Sequence, residues 1–486
     1  MKKKMSFCKL IAALLAVIMA CGVIIACKKP DDKPAGTSGP ATETQEGAPT
    51  LPDLDLDGAE WKVFAVMGEV NGSFFVEEPE NEIVSEAVYR TMTNVEDRYS
   101  CDITVTDSGF VAGDHAQAFK KMVDTGETEY SLVELHDAIG TNTALEGYFA
   151  NIYDVPYLTL TTPWWHGVED LTLNGKSFMV DTDMSTVSLK NAWMIFFNKD
   201  IMDDLKIEYP YQTVLDGNWT LDELGRLTKD VYADLNHNNE VDAGSGADGD
   251  MFGFTCMESM YAWFDSFDVA TIVKEDDGTL SVTTEISKIQ GIVDSMYELL
   301  RNSKGARTSG TYNFVDVNGF SNGRYMMLHH ALVDASDVFR YVDDLNYGIV
   351  PSPKYDESQK NYYTSCLTYP FWIPSNLTEK QFEVAGAVIE ALSYEGYKNT
   401  IPAYYEKALK HKYSPDDESS KMIEIIHDGL RASFSWCYGN FGEVFYFTLA
   451  NMFADGNTNF QSYYDSRIGA ANQRIDYINE KLGNWK

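Results

Sequence analysis

An α/β fold, mostly parallel sheets covered by helices, is what this 486-residue chain predicts. Three observations carry that expectation. Strand-like and helix-like segments alternate from about Glu60 onward, and the chain is long enough for two to four domains or large lobes. A composition of 44% hydrophobic and 13% aromatic residues supplies substantial cores and excludes global disorder.

The elements follow in order. Trp61-Lys62-Val63-Phe64-Ala65-Val66 reads as a first strand. Glu82–Tyr99 places Ile83, Ala87, Val88, Met92 and Val95 at helical spacing. Asp102–Val105 alternates as a short strand, Ala116–Val123 is a second amphipathic helix, and Ser131–Leu135 is a strand again. This βαβαβ order favours a parallel sheet, because a parallel pair needs a crossover that a helix supplies. Further on, Thr220–Leu235, Thr284–Arg301, Glu379–Ser393 and Ser420–Leu430 have helical spacing. The apolar runs Trp193–Phe197, Tyr347–Val350 and Leu367–Ile373 read as strands. No internal repeat at a fixed period is present.

Charge and cysteine count narrow the function. With 74 Asp plus Glu against 38 Lys plus Arg, the formal net charge is −36. That argues against nucleic acid, whose binding depends on clustered Lys and Arg. Seven cysteines are too few for a disulfide scaffold. The N-terminus reads as an address label. Lys2-Lys3-Lys4 precedes an apolar run from Leu10 to Ala26 that ends at Ile24-Ile25-Ala26-Cys27 and turns polar at Lys28-Lys29-Pro30. Residues 1–26 resemble a bacterial lipoprotein signal peptide, with Cys27 the residue to be lipidated. Cys21 is the poorer alternative, because cleavage there leaves the apolar stub Gly22–Ala26 exposed. Removing residues 1–26 takes away four lysines and no acids, which moves the charge from −36 to −40. Residues 27–50 have the composition of a flexible tether. The diacyl anchor is then the only membrane contact expected. Whether Cys101, Cys256, Cys366 and Cys437 pair is open at this level.

Several local phrases point one way when taken in order. Asn174-Gly175-Lys176-Ser177-Phe178 leads to Trp193–Phe197 with Asn198-Lys199-Asp200, then Tyr209-Pro210-Tyr211 and Gly217-Asn218-Trp219-Thr220-Leu221. Phe320-Ser321-Asn322-Gly323-Arg324, Gly348-Ile349-Val350-Pro351-Ser352-Pro353 and Pro402-Ala403-Tyr404-Tyr405 follow. From Ser131 to Leu430 the set resembles the family 1 extracellular solute-binding proteins of carbohydrate ABC importers. The resemblance implies a two-lobe periplasmic-binding-protein-like fold of type II, with a ligand cleft between lobes joined by a multi-strand hinge. The expected division is 51–180 and 325–370 for the first lobe, and 181–324 and 371–486 for the second. Crossings are expected near Asp181, Tyr325 and Pro370. The resemblance also implies a carbohydrate ligand, permease partners, an extracellular membrane-tethered location, no enzyme activity and no required cofactor.

Sugars are held by aromatic faces on ring C–H faces and by charged or amide groups on hydroxyls. Asp137, after the strand Ser131–Leu135, matches a sugar-binding aspartate of the maltose binders, although Ala138 replaces the basic residue that follows it there; a helix N-cap is the competing role. Glu258 and Tyr261, three apart, would share a helix face as hydroxyl acceptor and stacking platform, with Trp263 beside them or in the core. Trp372 is expected to face the cleft, and Trp436 and Tyr438 to form its rim. Trp164-Trp165 reads as inter-lobe packing, and His329-His330 as hinge or core rather than metal ligands.

Asp234, Asn236, Asn238, Glu240 and Asp242 place oxygens at alternate positions, the pattern of a calcium loop. Asn239 stands where an EF-hand has Gly, and Ser245 where it has Glu, so Asp248 or Asp250 would complete the site; a solvated acidic loop is the alternative. His-Glu-x-x-His and Walker motifs are absent. A cell-surface glycoside hydrolase lipoprotein and a sensing or scaffolding lipoprotein remain as alternatives to the binding protein.

Overall fold

The computed structural model describes residues 47–79, 82–110, 112–127, 129–242, 249–257, 261–308, 315–366, 369–409, 417–439, 445 and 448–483. The expected signal peptide, Cys27 and most of the tether lie outside these residues. Among the described residues, no helix is long and apolar enough to cross a membrane.

The first sheet is built as the periodicity predicts. Strand Ala59–Ala65 runs parallel to both Cys101–Asp107 and Tyr130–Glu134. The crossover helix Ile83–Tyr99 buries Val84, Ala87, Val88, Met92, Val95 and Tyr99 as one stripe. It starts where the Glu82 carboxylate accepts from Ser85 N at 3.1 Å and stops at Ser100 in the left-handed region. Helix Ala112–Asp124 makes the second crossover. Two short strands complete the sheet. Phe371–Trp372 pairs antiparallel with Tyr130–Glu134 on one side and with Met179–Val180 on the other.

The second sheet has the order Ala306–Thr308, Met251–Cys256, Tyr325–Ala331, Trp193–Asn198, Tyr347–Pro351, with Tyr232–Ala233 added on Met251–Cys256. Trp193–Asn198 lies between two antiparallel partners and is buried at all six positions. A strand covered on both faces loses the polar alternation of a half-exposed one, hence its unbroken apolar run. Each buried Phe or Ile there contributes about 1.5–3 kcal/mol.

Sheet membership revises the expected division. Tyr325–Ala331 and Tyr347–Pro351, expected in the first lobe, pair within the second sheet. Phe371–Trp372, expected in the second lobe, pairs within the first. The chain therefore leaves the first sheet between Val180 and Trp193 and rejoins it between Pro351 and Phe371, with no change of sheet at Tyr325. An apolar run announces a buried strand, but its partner is set by long-range register.

One expected helix is shorter, running only over Leu221–Thr228. Its end is captured by the second sheet, where Gly305 N donates to Lys229 O at 2.8 Å and Gly253 N donates to Val231 O at 2.9 Å. A Cβ at Gly305 would lie 1.8 Å from Thr228 O, so only glycine admits this approach. The helix expected over Thr284–Arg301 is α-helical from Ile286 to Tyr297 and ends in a π-turn at Glu298–Asn302. Of the strand expected over Leu367–Ile373, Phe371–Trp372 is formed.

Candidate ligand-binding site

The C-terminal ends of the first-sheet strands carry a concentration of titratable and aromatic groups. Strand Tyr130–Glu134 ends in Glu134, and the chain passes through Leu135 and His136 into helix Asp137–Leu145. Asp137 is 1% exposed and is the first residue of that helix. The N-cap position belongs to His136, so the capping role proposed for Asp137 is not the one it has. The helix N-terminus nonetheless favours a carboxylate there. Its Oδ1 accepts from Trp436 Nε1 at 2.7 Å and from Ala138 N at 2.6 Å, and lies 3.0 Å from His136 Nδ1. Trp436 comes from helix Phe434–Gly439, about 300 residues further along, and is half-buried. The His136 ring meets Tyr369 edge-on at 5.3 Å and Trp436 at 5.7 Å.

Glu134 and Glu69 extend this cluster. Glu69 sits in the turn Met67–Val70, directly after the first strand. The backbone N–H of Val66 donates to Glu134 Oε2 at 2.9 Å, while Glu134 Oε1 is buried with no hydrogen-bond partner among the described residues. Burial pushes the Glu134 carboxyl up to about 8, against the pull of the Val66 hydrogen bond, and the charge of Glu69 adds to the rise. Burial likewise raises Glu69, opposed by His136. Burial alone would lower His136, but Asp137, Glu134 and Glu69 outweigh it and hold the imidazole above its ordinary value. The arrangement joins the buried carboxyls of Glu134 and Asp137 and the half-buried Glu69 to half-exposed His136, Tyr369 and Trp436.

The corresponding edge of the second sheet carries Trp193, Met257 and Ala331, which pack together. His330, at the end of strand Tyr325–Ala331, lies 5.1 Å from the Trp193 ring and hydrogen-bonds Asp334. His329 points the other way, fully buried, with its ring 4.0 Å from Trp263 and Nε2 3.0 Å from Ser352 Oγ. Desolvation lowers it to about 3, so it stays neutral.

Of the sequence-predicted residues, Asp137 and Trp436 come together. Glu258 lies outside the described residues. Tyr261, expected as a stacking platform, is 2% exposed, with Oη 3.2 Å from Thr271 Oγ1; a ring with no free face cannot stack on a ligand. Trp263 is fully buried against His329. Trp372 is 1% exposed and donates from Nε1 to Leu135 O at 3.2 Å, so it supports the strand end from behind. Tyr438 is buried and stacked on Phe434 at 4.5 Å, and is not a rim residue. Trp164 and Trp165, read as inter-lobe packing, both donate from Nε1 at 3.0 Å to the fully buried Glu390 carboxylate of helix Glu379–Glu395. Sequence reasoning missed Glu69, Glu134, His136 and Tyr369. For Glu134 and His136 the signal was their place beside Asp137 at a strand end. Glu69 and Tyr369 had none.

The acidic loop is folded around Asp242. Asn236 Nδ2 and Asn238 Nδ2 donate to Asp242 Oδ2 at 2.9 and 2.5 Å, and Asn239 N donates to Asp234 Oδ2 at 2.9 Å. His237 and Asn239 both adopt the left-handed region (φ 59° and 60°), which Asn tolerates. Asp250, fully buried, accepts from Tyr232 Oη and from the backbone N–H groups of Leu235 and Asp242. Cys101, Cys366 and Cys437 are free buried thiols.

No family model matches the chain, and no curated protein is similar to it in sequence. Solved structures are similar in fold. A cyclo/maltodextrin-binding protein complexed with maltotetraose matches at TM-score 0.54 and 14% identity, over 88% of this chain and 98% of that one. The galacto-N-biose/lacto-N-biose I-binding protein of an ABC transporter from Bifidobacterium longum, in complex with lacto-N-biose, matches at TM-score 0.54 and 11% identity, over 88% and 99%. An ABC substrate-binding protein from Listeria monocytogenes, in complex with cycloalternan, matches at TM-score 0.51 and 14% identity, over 88% and 100%. The chain thus has the two-lobe α/β fold of the substrate-binding proteins of ABC importers.

Proposed function

We propose that this chain is a substrate-binding protein that captures a carbohydrate, of oligosaccharide size, in the cleft between its lobes and delivers it to the permease subunits of an ABC importer. The observation that carries the reading is the cluster of Glu69, Glu134, His136, Asp137, Tyr369 and Trp436 at the strand ends of a two-lobe fold. Ligands in open α/β sheets bind outside strand C-termini, and the half-buried His136, Tyr369 and Trp436 there, backed by the buried Asp137 and Glu134 carboxyls, offer the faces a sugar ring can meet. Similar folds bound to maltotetraose, lacto-N-biose and cycloalternan support it. Lipidation at Cys27, with residues 28–50 as a leash, would hold the protein at the outer face of the cell membrane. We further propose, from the alternation of oxygen side chains at Asp234, Asn236, Asn238, Glu240 and Asp242, that this loop takes a structural calcium ion.

The test is a thermal-shift and calorimetric screen of mono- and oligosaccharides. A binder shows a saturable shift without release of reducing sugar; release would favour the glycoside hydrolase reading. With a ligand found, Trp436→Ala removes one aromatic face and leaves Asp137 without its indole donor. The expected loss is about 2–3 kcal/mol, roughly a hundredfold in affinity. No shift with any sugar at millimolar concentration would overturn the proposal.

A further inference from the structure

A second cluster lies where the chain leaves the first sheet. His166 follows Trp164-Trp165 and donates its backbone N–H to Asp181 O at 3.0 Å. Asp183 follows strand Met179–Val180 and donates its own to Trp164 O at 3.1 Å. Trp165 and Thr182 bridge the same two segments. These contacts hold His166 and Asp183 side by side. The third member, His427, comes from helix Asp417–Asp428, which packs on strand Tyr347–Pro351 of the second sheet. That helix is also tied to the second sheet's lobe through Ser419 Oγ, 2.8 Å from Tyr211 Oη.

One carboxylate faces two imidazoles. Asp183 Oδ1 is 2.7 Å from His166 Nε2 and 3.8 Å from His427 Nε2, and one ligand atom from each of the three residues lies within 4.8 Å of the others. The second distance is too long for a hydrogen bond. Among the described residues, His427 Nε2 and Asp183 Oδ2 are buried with no hydrogen-bond partner, and the Asp183 side chain is only 1% exposed. Leaving such atoms unpaired is costly, so a group that engages both imidazoles and the carboxylate at once is called for. Ligands about 2.0–2.2 Å from a tetrahedral ion stand roughly 3.3 Å apart, a spacing that the 2.7 and 3.8 Å separations bracket. A cavity of about 800 Å³ opens on His166 and His427, lined also by Tyr405 and Glu424. It leaves room for water as a fourth ligand, or for Glu424, one turn before His427.

We infer that His166, Asp183 and His427 form a binding site for a borderline divalent cation of the zinc class, spanning the two lobes at the hinge. Two imidazoles and one carboxylate are a donor set that zinc uses and that calcium, which prefers six to eight oxygens, does not. The ion joins the chain segment leaving the first sheet to a helix seated on the second, so it stabilises one relative placement of the lobes.

The experiment uses the full chain stripped with a chelator, titrated with Zn²⁺ by calorimetry and with Co²⁺ by visible absorption. Saturable uptake of one Zn²⁺ and a Co²⁺ spectrum of low-coordinate nitrogen and oxygen ligation are expected, both insensitive to excess Ca²⁺. His166→Gln and His427→Gln should each weaken binding more than about a hundredfold, the upper end of what losing an outer-shell partner costs. His237→Gln, in the acidic loop, should leave it unchanged. Because the wild-type titration is itself decisive, misfolding of a variant does not rescue the idea. Absence of saturable Zn²⁺ binding overturns the assignment, as does binding that survives both histidine changes.

Discussion

The buried Glu134 carboxyl makes the stability of this protein depend on pH in a defined direction. The folded protein holds the Glu134 proton up to about pH 8, whereas an ordinary glutamate releases it near 4.5. Between those values the folded state binds more protons than the unfolded one, so stability falls as pH rises. Each pH unit costs up to 1.36 kcal/mol, so from pH 5 to pH 8 this group removes about 4 kcal/mol. Glu134→Gln keeps the oxygen that accepts from Val66 N at 2.9 Å and cannot ionise. The variant should therefore gain about 4 kcal/mol on the wild type between pH 5 and pH 8, with the gain complete above pH 8. Urea melts at pH 5, 7 and 9 measure it, with the slope m checked for constancy. A wild-type-minus-variant difference that stays flat with pH would refute the claim that Glu134 is neutral in the fold.

Two further predictions concern other parts of the fold. Glu390→Met removes the acceptor of the buried Trp164 Nε1 and Trp165 Nε1 donors at 3.0 Å and of the half-buried Thr159 N at 3.1 Å. At about 1–3 kcal/mol per orphaned donor, less the relief of burying one carboxylate fewer, it should destabilise by about 3–5 kcal/mol in denaturant melts; an unchanged midpoint would contradict it. For the acidic loop, calcium at about a hundred times its Kd should stabilise the protein by about 2.7 kcal/mol, and Asp234→Ala should abolish the effect. A melting temperature indifferent to calcium and chelator would rule that ion out.

Much of the fold was legible because helix and strand periods are local. The stripe Val84, Ala87, Val88, Met92, Val95 and the strands on either side of it need no distant partner to be recognised. The candidate site was legible only in part. Asp137 could be found because it follows a strand end. Trp436 could be nominated from its loop-like phrase, but its bond to Asp137 spans 299 positions. Tyr261, Trp263 and Trp372 have the same chemistry as Trp436 and lie in equally suggestive phrases, yet all three are buried. An aromatic residue suits a core as well as a sugar, so type alone cannot separate the two uses.

By itself, then, the amino-acid order determined the α/β class, the first βαβαβ unit and the resemblance that names the fold. Those features rest on spacing along the chain. Tertiary structure alone decided that Tyr325–Ala331 belongs to the second sheet and Phe371–Trp372 to the first. It also brought Glu69 beside Glu134, and His427 opposite Asp183. Pairing between distant segments is set by register and burial summed over the whole chain, and no local pattern encodes that sum.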